Sequence, residues 1–384
     1  MTGAFWAGAF CLAATAVNLV SLLIAAIRIR GPRALLPLEP NPPPVSIVRP
    51  VCGVERFSEE TLRSGFELDY PDYELIFCVA RGTDPIVPIV QKMMAAYPAI
   101  PSQLIIGDER ISDNPKLNNC VRGWDAARHE WVILADSNVL MPPDYVQRLR
   151  ASWRPDTGLV CSTPAGSHPD GFWAEVECAF LNTLQARWQY AGEALGFGFA
   201  QGKSMLWRKD ILDERGGIRA LGAEIAEDAA ATKLVRKAGL HVHLVDAPFR
   251  QPLGRRTASE VWYRQLRWAR LRRVTFPLFF APEISSGAML PMLAGGLFAA
   301  GYGWSVAATV LAVATCWYGP ELVMARLKGW PLSWRSLPTF IVRDALLLPM
   351  WAYAWVAVQI EWRGNAMSVR TKGAEQLRAT GTIG

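Results

Sequence analysis

Asp136 follows a short apolar run at residues 132–134 and is the first candidate for chemistry in this chain. The run is shorter than a typical helix, so we predict a buried strand of a parallel sheet. Open α/β sheets bind their ligands at the carboxyl ends of such strands. There, Asp136, Ser137 and Asn138 would offer the hard oxygen donors with which proteins hold Mg²⁺ or Mn²⁺ against a diphosphate. A turn or a helix cap is the structural alternative for Asp136.

Two further aspartates stand at comparable positions. Asp84 follows the strand predicted at Tyr73–Val79, and Asp228 opens a helix predicted to run to about Lys237. An acid at a helix N-terminus interacts favourably with the helix dipole, and taken alone this explains Asp228. The two aspartates therefore become catalytic candidates only as members of a larger set.

A basic and aromatic segment, Ser259–Val274, follows these acids. Seven arginines lie between Arg255 and Arg273, against the single acid Glu260. Large aromatic residues interleaved with arginines are typical of a helix at a membrane surface. Because the segment adjoins apolar stretches, it favours anionic lipid headgroups or a diphosphate over nucleic acid as the partner.

Short apolar runs alternate with amphipathic stretches from residue 45 onward, which predicts repeated βα units and a parallel sheet with right-handed crossovers. No G-x-G-x-x-G signature follows the first strand, so a metal and side chains would hold a nucleotide's phosphates. Gly196–Gly202 predicts either a plain turn or a loop whose backbone approaches a ligand. The predicted strands are Val45–Val48, Tyr73–Val79, Gln103–Ile106, Trp131–Asp136 and Leu240–Val245, and the predicted helices lie near Phe57–Phe66, Pro85–Ala96, Asn114–Ala127, Asp144–Trp153 and Phe172–Trp188.

Composition and apolar segments indicate a membrane protein. Of the 384 residues, 51% are hydrophobic and 16 are tryptophan, which is enriched at membrane interfaces. Phe5–Ile27 contains no charged residue and is long enough to cross a bilayer. Arg28 and Arg30 follow it, which predicts an outside N-terminus and a cytosolic domain after the anchor. The seven cysteines include no C-x-x-C pair, as expected of reduced thiols facing the cytosol.

Two more apolar stretches, Ala288–Gly303 and Ser305–Val323, predict a membrane hairpin that returns the chain to the cytosolic side. Leu337–Ile360 is a third, but Arg343-Asp344 and Pro349 interrupt it, so it either crosses, re-enters or lies in the interface. The predicted organisation is a transmembrane anchor at 1–30, a proline-rich linker at 31–44, a cytosolic catalytic domain at 45–255, a basic interface helix at 256–284, transmembrane or re-entrant helices at 285–363 and a polar tail at 364–384.

Six stretches together form a recognisable set: Val45–Pro50, Phe66–Pro71, Asn114–Asn119, Asp136-Ser137, Ile225–Asp228 and Arg264–Trp268. On this set the chain resembles the ceramide glucosyltransferases, which are membrane-anchored enzymes close to the hopanoid-associated glycosyltransferases. The resemblance covers about residues 45–291. It implies the GT-A fold, an α/β domain with a mixed or parallel sheet, together with an N-terminal transmembrane helix and C-terminal ones. It also implies a UDP-sugar donor, a divalent metal (Mg²⁺ or Mn²⁺) and a ceramide-like lipid acceptor.

The resemblance also implies roles for individual residues. Asp84 corresponds to an aspartate at the nucleotide end of the site, Asp136 to the one that binds UDP through a divalent cation, and Asp228 to the catalytic base. The resemblance further implies that the donor is bound by Lys116, Arg264, Arg267 and Trp268. Many GT-A enzymes carry a second acid two residues after the metal-binding aspartate. This chain has Asn138 there, so the second metal ligand is undefined.

These features predict an inverting lipid glycosyltransferase that moves a hexose, with glucose favoured, from a UDP-sugar to the primary hydroxyl of ceramide. A carboxylate removes the hydroxyl proton during attack on the anomeric carbon, and one displacement turns an α-linked donor into a β-glycoside. The alternatives are a hopanoid or diacylglycerol acceptor, a processive polysaccharide synthase, which needs more membrane crossings, and a non-enzymatic lipid- or nucleotide-binding protein. An Ala- and Arg-rich composition favours a bacterial inner membrane over a Golgi-type membrane.

Overall fold

Strands between residues 45 and 255 build two sheets in the computed structural model, which describes residues 1–31, 35–356, 359–362 and 365–368. The strands are β1 (Val45–Pro50), β2 (Tyr73–Val79), β3 (Ser102–Ile106), β4 (Trp131–Ala135), β5 (Thr157–Ser162), β6 (Ala165–Asp170), β7 (Ser204–Arg208), β8 (His241–Leu244) and β9 (Arg250–Arg255). The large sheet has seven strands in the order β3-β2-β1-β4-β7-β5-β8, and β6 pairs with β9 in the small one.

Strands β1 to β4 form the parallel half of the large sheet, and the sequence predicted all four. Strands β1, β2 and β4 are buried along their whole length, as expected where apolar cores cover both faces of a sheet. Beyond β4 the parallel βα repeat ends and the sheet becomes mixed, which agrees with the predicted fold class of an α/β domain with a mixed or parallel sheet. There β7 runs antiparallel to β4, with Ala135 opposite Ser204, so the chain returns to the end of β4.

Helices cover the sheet and continue into the apolar C-terminal part. They are α1 (Thr2–Arg28), α2 (Ser58–Phe66), α3 (Val87–Ala96), α4 (Pro115–Ala126), α5 (Tyr145–Ala151), α6 (Phe172–Cys178), α7 (Arg187–Ala194), α8 (Lys209–Asp213), α9 (Glu227–Lys237), α10 (Ala258–Thr275), α11 (Pro277–Phe280), α12 (Met289–Tyr302), α13 (Val306–Leu327) and α14 (Ser336–Val356). The helix predicted at Phe172–Trp188 is longer than expected. A π-helical stretch at Ala179–Ala186 joins α6 to α7, and the rod ends only at Ala194.

Two of the described helices, α1 and α13, are long and apolar enough to cross a membrane by length and composition. A third candidate span exists if Pro277–Ser285 and Met289–Tyr302, which are bent by 49°, count as one. Helices α12 and α13 occupy the two stretches predicted as a hairpin. Gly303 ends α12 with a φ of 71°, a left-handed conformation that favours glycine and turns the chain back.

The last apolar segment differs from the prediction. Helix α14 ends at Val356, and Gln359–Trp362 pairs antiparallel with Asn365–Ser368 instead of extending an apolar helix to Ile360. The C-terminal half of α14 packs against α10, where Met350 and Ala354 join apolar clusters with residues of α10. Part of the predicted linker (32–34), three residues of the predicted C-terminal membrane part (357, 358 and 363) and most of the predicted polar tail (364 and 369–384) lie outside the described residues.

The charges that interrupt the last segment are buried in an ion-pair network. Arg343 lies 2.8 Å from Glu321 of α13 and 2.7 Å from its neighbour Asp344. Arg187 of α7 shares Glu321 at 3.3 Å. All four side chains are buried, so each charge is compensated by a partner, as charged groups among apolar helices require.

Candidate active site

Lys116 connects three separate elements at the carboxyl end of β4. Its Nζ lies 2.6 Å from Asp136 Oδ1 and 2.7 Å from Glu227 Oε1, and it donates to the Gly202 carbonyl at 2.5 Å. The lysine is aimed by its own helix, because the side chain of Asn114 caps α4 by accepting hydrogen bonds from the first-turn backbone amides. The strand end, the start of α9 and the loop before β7 therefore meet on one ammonium group.

Asp136 is held as a carboxylate by two lysines. Besides Lys116, the Nζ of Lys203 lies 2.9 Å from its Oδ2. Burial opposes ionisation, but the charges of Lys116 and Lys203 outweigh it and lower the pKa of Asp136 to about 2. Asp136 therefore stays negatively charged throughout the physiological range.

Asp228 lies in a different electrostatic environment although it is beside Glu227. Its carboxylate accepts hydrogen bonds from the backbone amides of Ala229 (2.8 Å) and Gly202 (3.4 Å), and among the described residues it pairs with no lysine or arginine. Burial and the adjacent Glu227 raise the pKa of Asp228 to about 7, against the opposing charge of Lys116. Such a group can take up and release a proton near neutral pH.

The loop after β4 is shaped by Arg49, a residue that sequence reasoning did not single out. Arg49 is fully buried in β1 and donates to the carbonyls of Asp136, Ser137 and Val139 at 3.2–3.4 Å. A buried arginine satisfied by carbonyls fixes a backbone that has no regular ladder of its own. The position of the Asp136 carboxylate thus depends on the neighbouring strand as well as on the lysines.

Asp84 lies at the same edge of the sheet but is not in contact with Asp136. Its carboxylate accepts hydrogen bonds from the backbone amides of Gly53 (2.9 Å) and Ile86 (3.0 Å). It follows β2, which is two strands from β4, so the two strand ends are roughly 10 Å apart. That separation suits the two ends of an extended nucleotide better than two ligands of one ion.

Helix α10, which the sequence predicted as a basic helix, carries Arg264. Arg264 pairs with a buried acid that sequence reasoning did not identify. Glu177 of α6 is fully buried and lies 2.9 Å from Arg264 and 3.2 Å from Arg256. Trp268 packs against the apolar cluster of Cys178, Leu181 and Leu253, and this packing helps to hold α10 in position. Arg267 lies on the same helix and is partly buried.

Lys203 was also missed, because a single lysine next to a glycine carries little signal. Its ammonium lies between Asp136 Oδ2 and Asn138 Oδ1, at 2.9 and 3.1 Å. Two oxygens therefore already converge on one positive charge. No group of three His, Cys, Asp or Glu side chains within the described ranges could hold a metal ion. A divalent ion would depend on Asp136, the Asn138 amide oxygen and the oxygens of a bound diphosphate.

A family model described as glycosyl transferase family 21 matches residues 9–375. The chain belongs to glycosyl transferase family 21. This assignment confirms the predicted enzyme class, a glycosyltransferase, and with it the resemblance drawn from the six motifs.

Two relatives of this family 21 glycosyltransferase come from Caenorhabditis elegans. Ceramide glucosyltransferase 3 is 26% identical over 342 residues, which cover 86% of this chain and 74% of the relative. Ceramide glucosyltransferase 1 is 29% identical over 250 residues, which cover 64% of this chain and 54% of the relative. This second match thus spans about half of the relative's length.

A solved structure shares the fold. The mannosyltransferase PcManGT from Pyrobaculum calidifontis, determined in complex with GDP-Man and Mn²⁺, aligns with a TM-score of 0.51 and 18% identity. The alignment covers 88% of this chain and 99% of the mannosyltransferase. The likeness confirms the predicted GT-A class of fold, with its mixed sheet and associated apolar helices.

We expect Lys116→Met to weaken UDP binding by at least about tenfold. The substitution leaves Asp136 and Glu227 without their shared cation, so the site becomes more negative where a diphosphate must bind. Isothermal titration calorimetry with UDP measures the change. Lys92→Met is the matched control, because Lys92 of α3 is an exposed lysine whose ion-pair partner, at 3.7 Å, is Glu59 of α2. Equal UDP affinity in the two variants would contradict the role of Lys116.

Proposed function

We propose that this family 21 enzyme transfers a hexose, with glucose favoured, from a UDP-sugar to the primary hydroxyl of a ceramide-like lipid, with inversion at the anomeric carbon. One observation carries the proposal. Lys116 joins Asp136 to Glu227, the neighbour of Asp228, and the environments of the two aspartates drive their pKa values apart, to about 2 for Asp136 and about 7 for Asp228. Such separation of acid–base behaviour divides roles in one site.

Asp228 is the general base of this proposal. A lipid hydroxyl is a weak nucleophile at neutral pH and must lose its proton as it attacks, and a positioned base with a pKa near 7 accepts that proton. Glu227 is not a second candidate, because Lys116 (2.7 Å) and the side-chain amide of Asn114 (2.6 Å) occupy its oxygens. One base opposite one leaving group fits a single displacement, which turns an α-linked donor into a β-glycoside.

Asp136 and the cations around it form the leaving-group side. Lys203 places positive charge beside the Asp136 carboxylate, and repulsion by Lys116 and Arg264 adds to burial in lowering the pKa of Lys203. A bound Mg²⁺ or Mn²⁺, held by Asp136 and Asn138, would supply Lewis-acid stabilisation of the departing UDP. Asp84, at the same edge of the sheet but after β2, would bind the nucleoside end of the donor.

The lipid acceptor and the location follow from the apolar helices. Helices α1 and α13 anchor the domain to a membrane, and the relatives named above are ceramide glucosyltransferases. Arg28 and Arg30 follow α1, which supports a catalytic domain on the cytosolic face, of a bacterial inner membrane on the compositional argument. Hopanoid and diacylglycerol acceptors offer the same chemistry, since a hydroxyl on an apolar body is the common requirement.

Asp228→Asn is expected to lower the rate of sugar transfer by about 10²–10⁴-fold, because an amide cannot accept the hydroxyl proton. UDP affinity should remain within about twofold of the wild type. Glu224→Gln is the control, since Glu224 precedes α9 and pairs with Lys233 on the surface. Normal turnover by Asp228→Asn would remove Asp228 as the base.

The pH dependence of transfer should report the same group. Asp228 acts as a base only when ionised, and its pKa is raised to about 7. The value of kcat/KM should therefore fall about tenfold per pH unit below pH 7 and level off above it. Initial rates in buffers of constant ionic strength test this, with UDP binding measured at each pH to separate donor affinity. A flat profile through neutral pH would contradict the assignment.

A panel of UDP-sugars with ceramide, diacylglycerol and hopanoid acceptors, analysed by mass spectrometry, tests the proposed reaction itself. We expect a β-hexosylated lipid from UDP-glucose and ceramide, and loss of product when EDTA removes divalent ions. Restoration by Mg²⁺ or Mn²⁺ identifies the ion. Full turnover in EDTA, with no bound metal detected by elemental analysis, would refute the metal, and absence of any lipid product would refute the proposed function.

A further inference from the structure

The glycine-spaced segment before β7 is fixed along one face of α9. Residues 228, 232 and 236 of the helix are one turn apart and lie on the same face. They meet every second residue of the segment: Gly202 N–H donates to Asp228 Oδ2 at 3.4 Å, Ala200 N–H to Thr232 Oγ1 at 2.9 Å, and the Arg236 guanidinium to the Gly198 carbonyl at 3.0 Å. The segment 196–202, which we call the strip, is therefore held against α9 by three hydrogen bonds, and its C-terminal end lies at the candidate base, Asp228.

Gly198 shows how closely this strip is pressed against the sheet. A Cβ added there would lie 2.0 Å from the carbonyl oxygen of Val242 in β8, a contact that no side chain tolerates. The backbone of the strip thus has little freedom. The exposed side chains it carries are presented by a rigid support, unlike those of a mobile turn.

Two phenylalanines of the strip, Phe197 and Phe199, contact residues that follow α10. Phe197 lies 5.8 Å from Phe279 between ring centroids, and Phe199 lies 4.9 Å from Phe276 and 5.0 Å from Phe279. We call these four residues the aromatic platform. Phe197 is 50% and Phe279 44% exposed, and Leu278 beside them is 87% exposed. Exposed apolar side chains gathered in this way are typical of sites that bind a membrane, a partner or an apolar ligand.

The platform connects the membrane part to the candidate base. Phe279 belongs to Pro277–Ser285, which forms a candidate membrane span together with α12. At the other end, Phe199 is three residues from Gly202, a distance of at most about 11 Å along the chain. An amphiphile whose hydroxyl lies at Asp228 would therefore lay the first part of its apolar body on these rings.

We propose that the aromatic platform binds the hydrocarbon part of the lipid acceptor and so determines which acceptors are used. The proposal rests on the proposed function and adds a subsite to it. An amphiphile that enters from the bilayer passes over Phe279 before its hydroxyl reaches Asp228. Mere attachment to the bilayer does not require the platform, because α1 and α13 are themselves long and apolar enough to cross a membrane.

The test uses the full chain with the double substitution Phe197→Ser/Phe279→Ser, in detergent micelles. The acceptors are ceramide and diacylglycerol, each with short or long acyl chains. We expect the KM for long-chain acceptors to rise at least about tenfold and that for short-chain acceptors much less, because the lost contacts are apolar. The Kd for UDP should not change, which also shows that the variant is folded. Ile106→Ser, at an exposed apolar residue at the end of β3 (48% exposed), is the matched control and should leave both constants unchanged.

The outcomes separate the two proposals. A wild-type enzyme that glycosylates no lipid overturns the proposed function. A wild-type enzyme that glycosylates a lipid, beside a double variant with unchanged KM for long-chain acceptors, overturns the platform alone. The same assay is then repeated in phosphatidylcholine vesicles. An effect of the double substitution that appears in vesicles and is absent in micelles would mean that the platform contacts the bilayer, and this result also overturns acceptor binding.

Discussion

The shared ammonium of Lys116 is the contact on which the geometry of the candidate site depends. It binds a carboxylate from the end of β4, one from the start of α9 and a carbonyl from the loop between them. These elements are far apart in sequence and have no other common partner among the described contacts. Gly202 allows the approach, since a Cβ there would lie 2.6 Å from Glu227. Because the ion pair with Lys116 fixes Glu227, it also fixes the position of the adjacent Asp228.

Asn138 acquires a physical explanation from this arrangement. Asp136 and Glu227 already balance Lys116 and Lys203, and an aspartate at 138 would add a negative charge beside Lys203. The amide oxygen accepts from Lys203 without cancelling its charge, so positive potential remains for a diphosphate. Asn138, in place of the usual acid, is thus compatible with Lys203, because the amide leaves the positive charge of this lysine uncancelled.

Local signals were sufficient for the parallel strands and for Asp136, because short apolar runs and strand-end acids depend on neighbours in sequence. Lys203 and Glu177 could not be found this way. Lys203 faces Asp136 only through the antiparallel register of β7 on β4, where the Asp136 amide donates to the Lys203 carbonyl at 3.0 Å. Such a register is set by tertiary pairing and leaves no trace in periodicity. Four strands between residues 45 and 255, β5, β6, β7 and β9, were missed for the same reason.

The buried charges among the apolar helices bear on the same site through one continuous rod, α6 to α7 with its π-helical middle. Just before the π-helical stretch Glu177 lies 2.9 Å from Arg264, and just after it Arg187 lies 3.3 Å from Glu321 of α13. Apolar packing would join these helices as stably, since buried ion pairs add little net stability. Their directional contacts instead fix rotation and register. We therefore interpret the network as fixing the position of Arg264 of α10 relative to the apolar helices. The proposed acceptor path and the proposed leaving-group charges would then keep a constant position relative to each other.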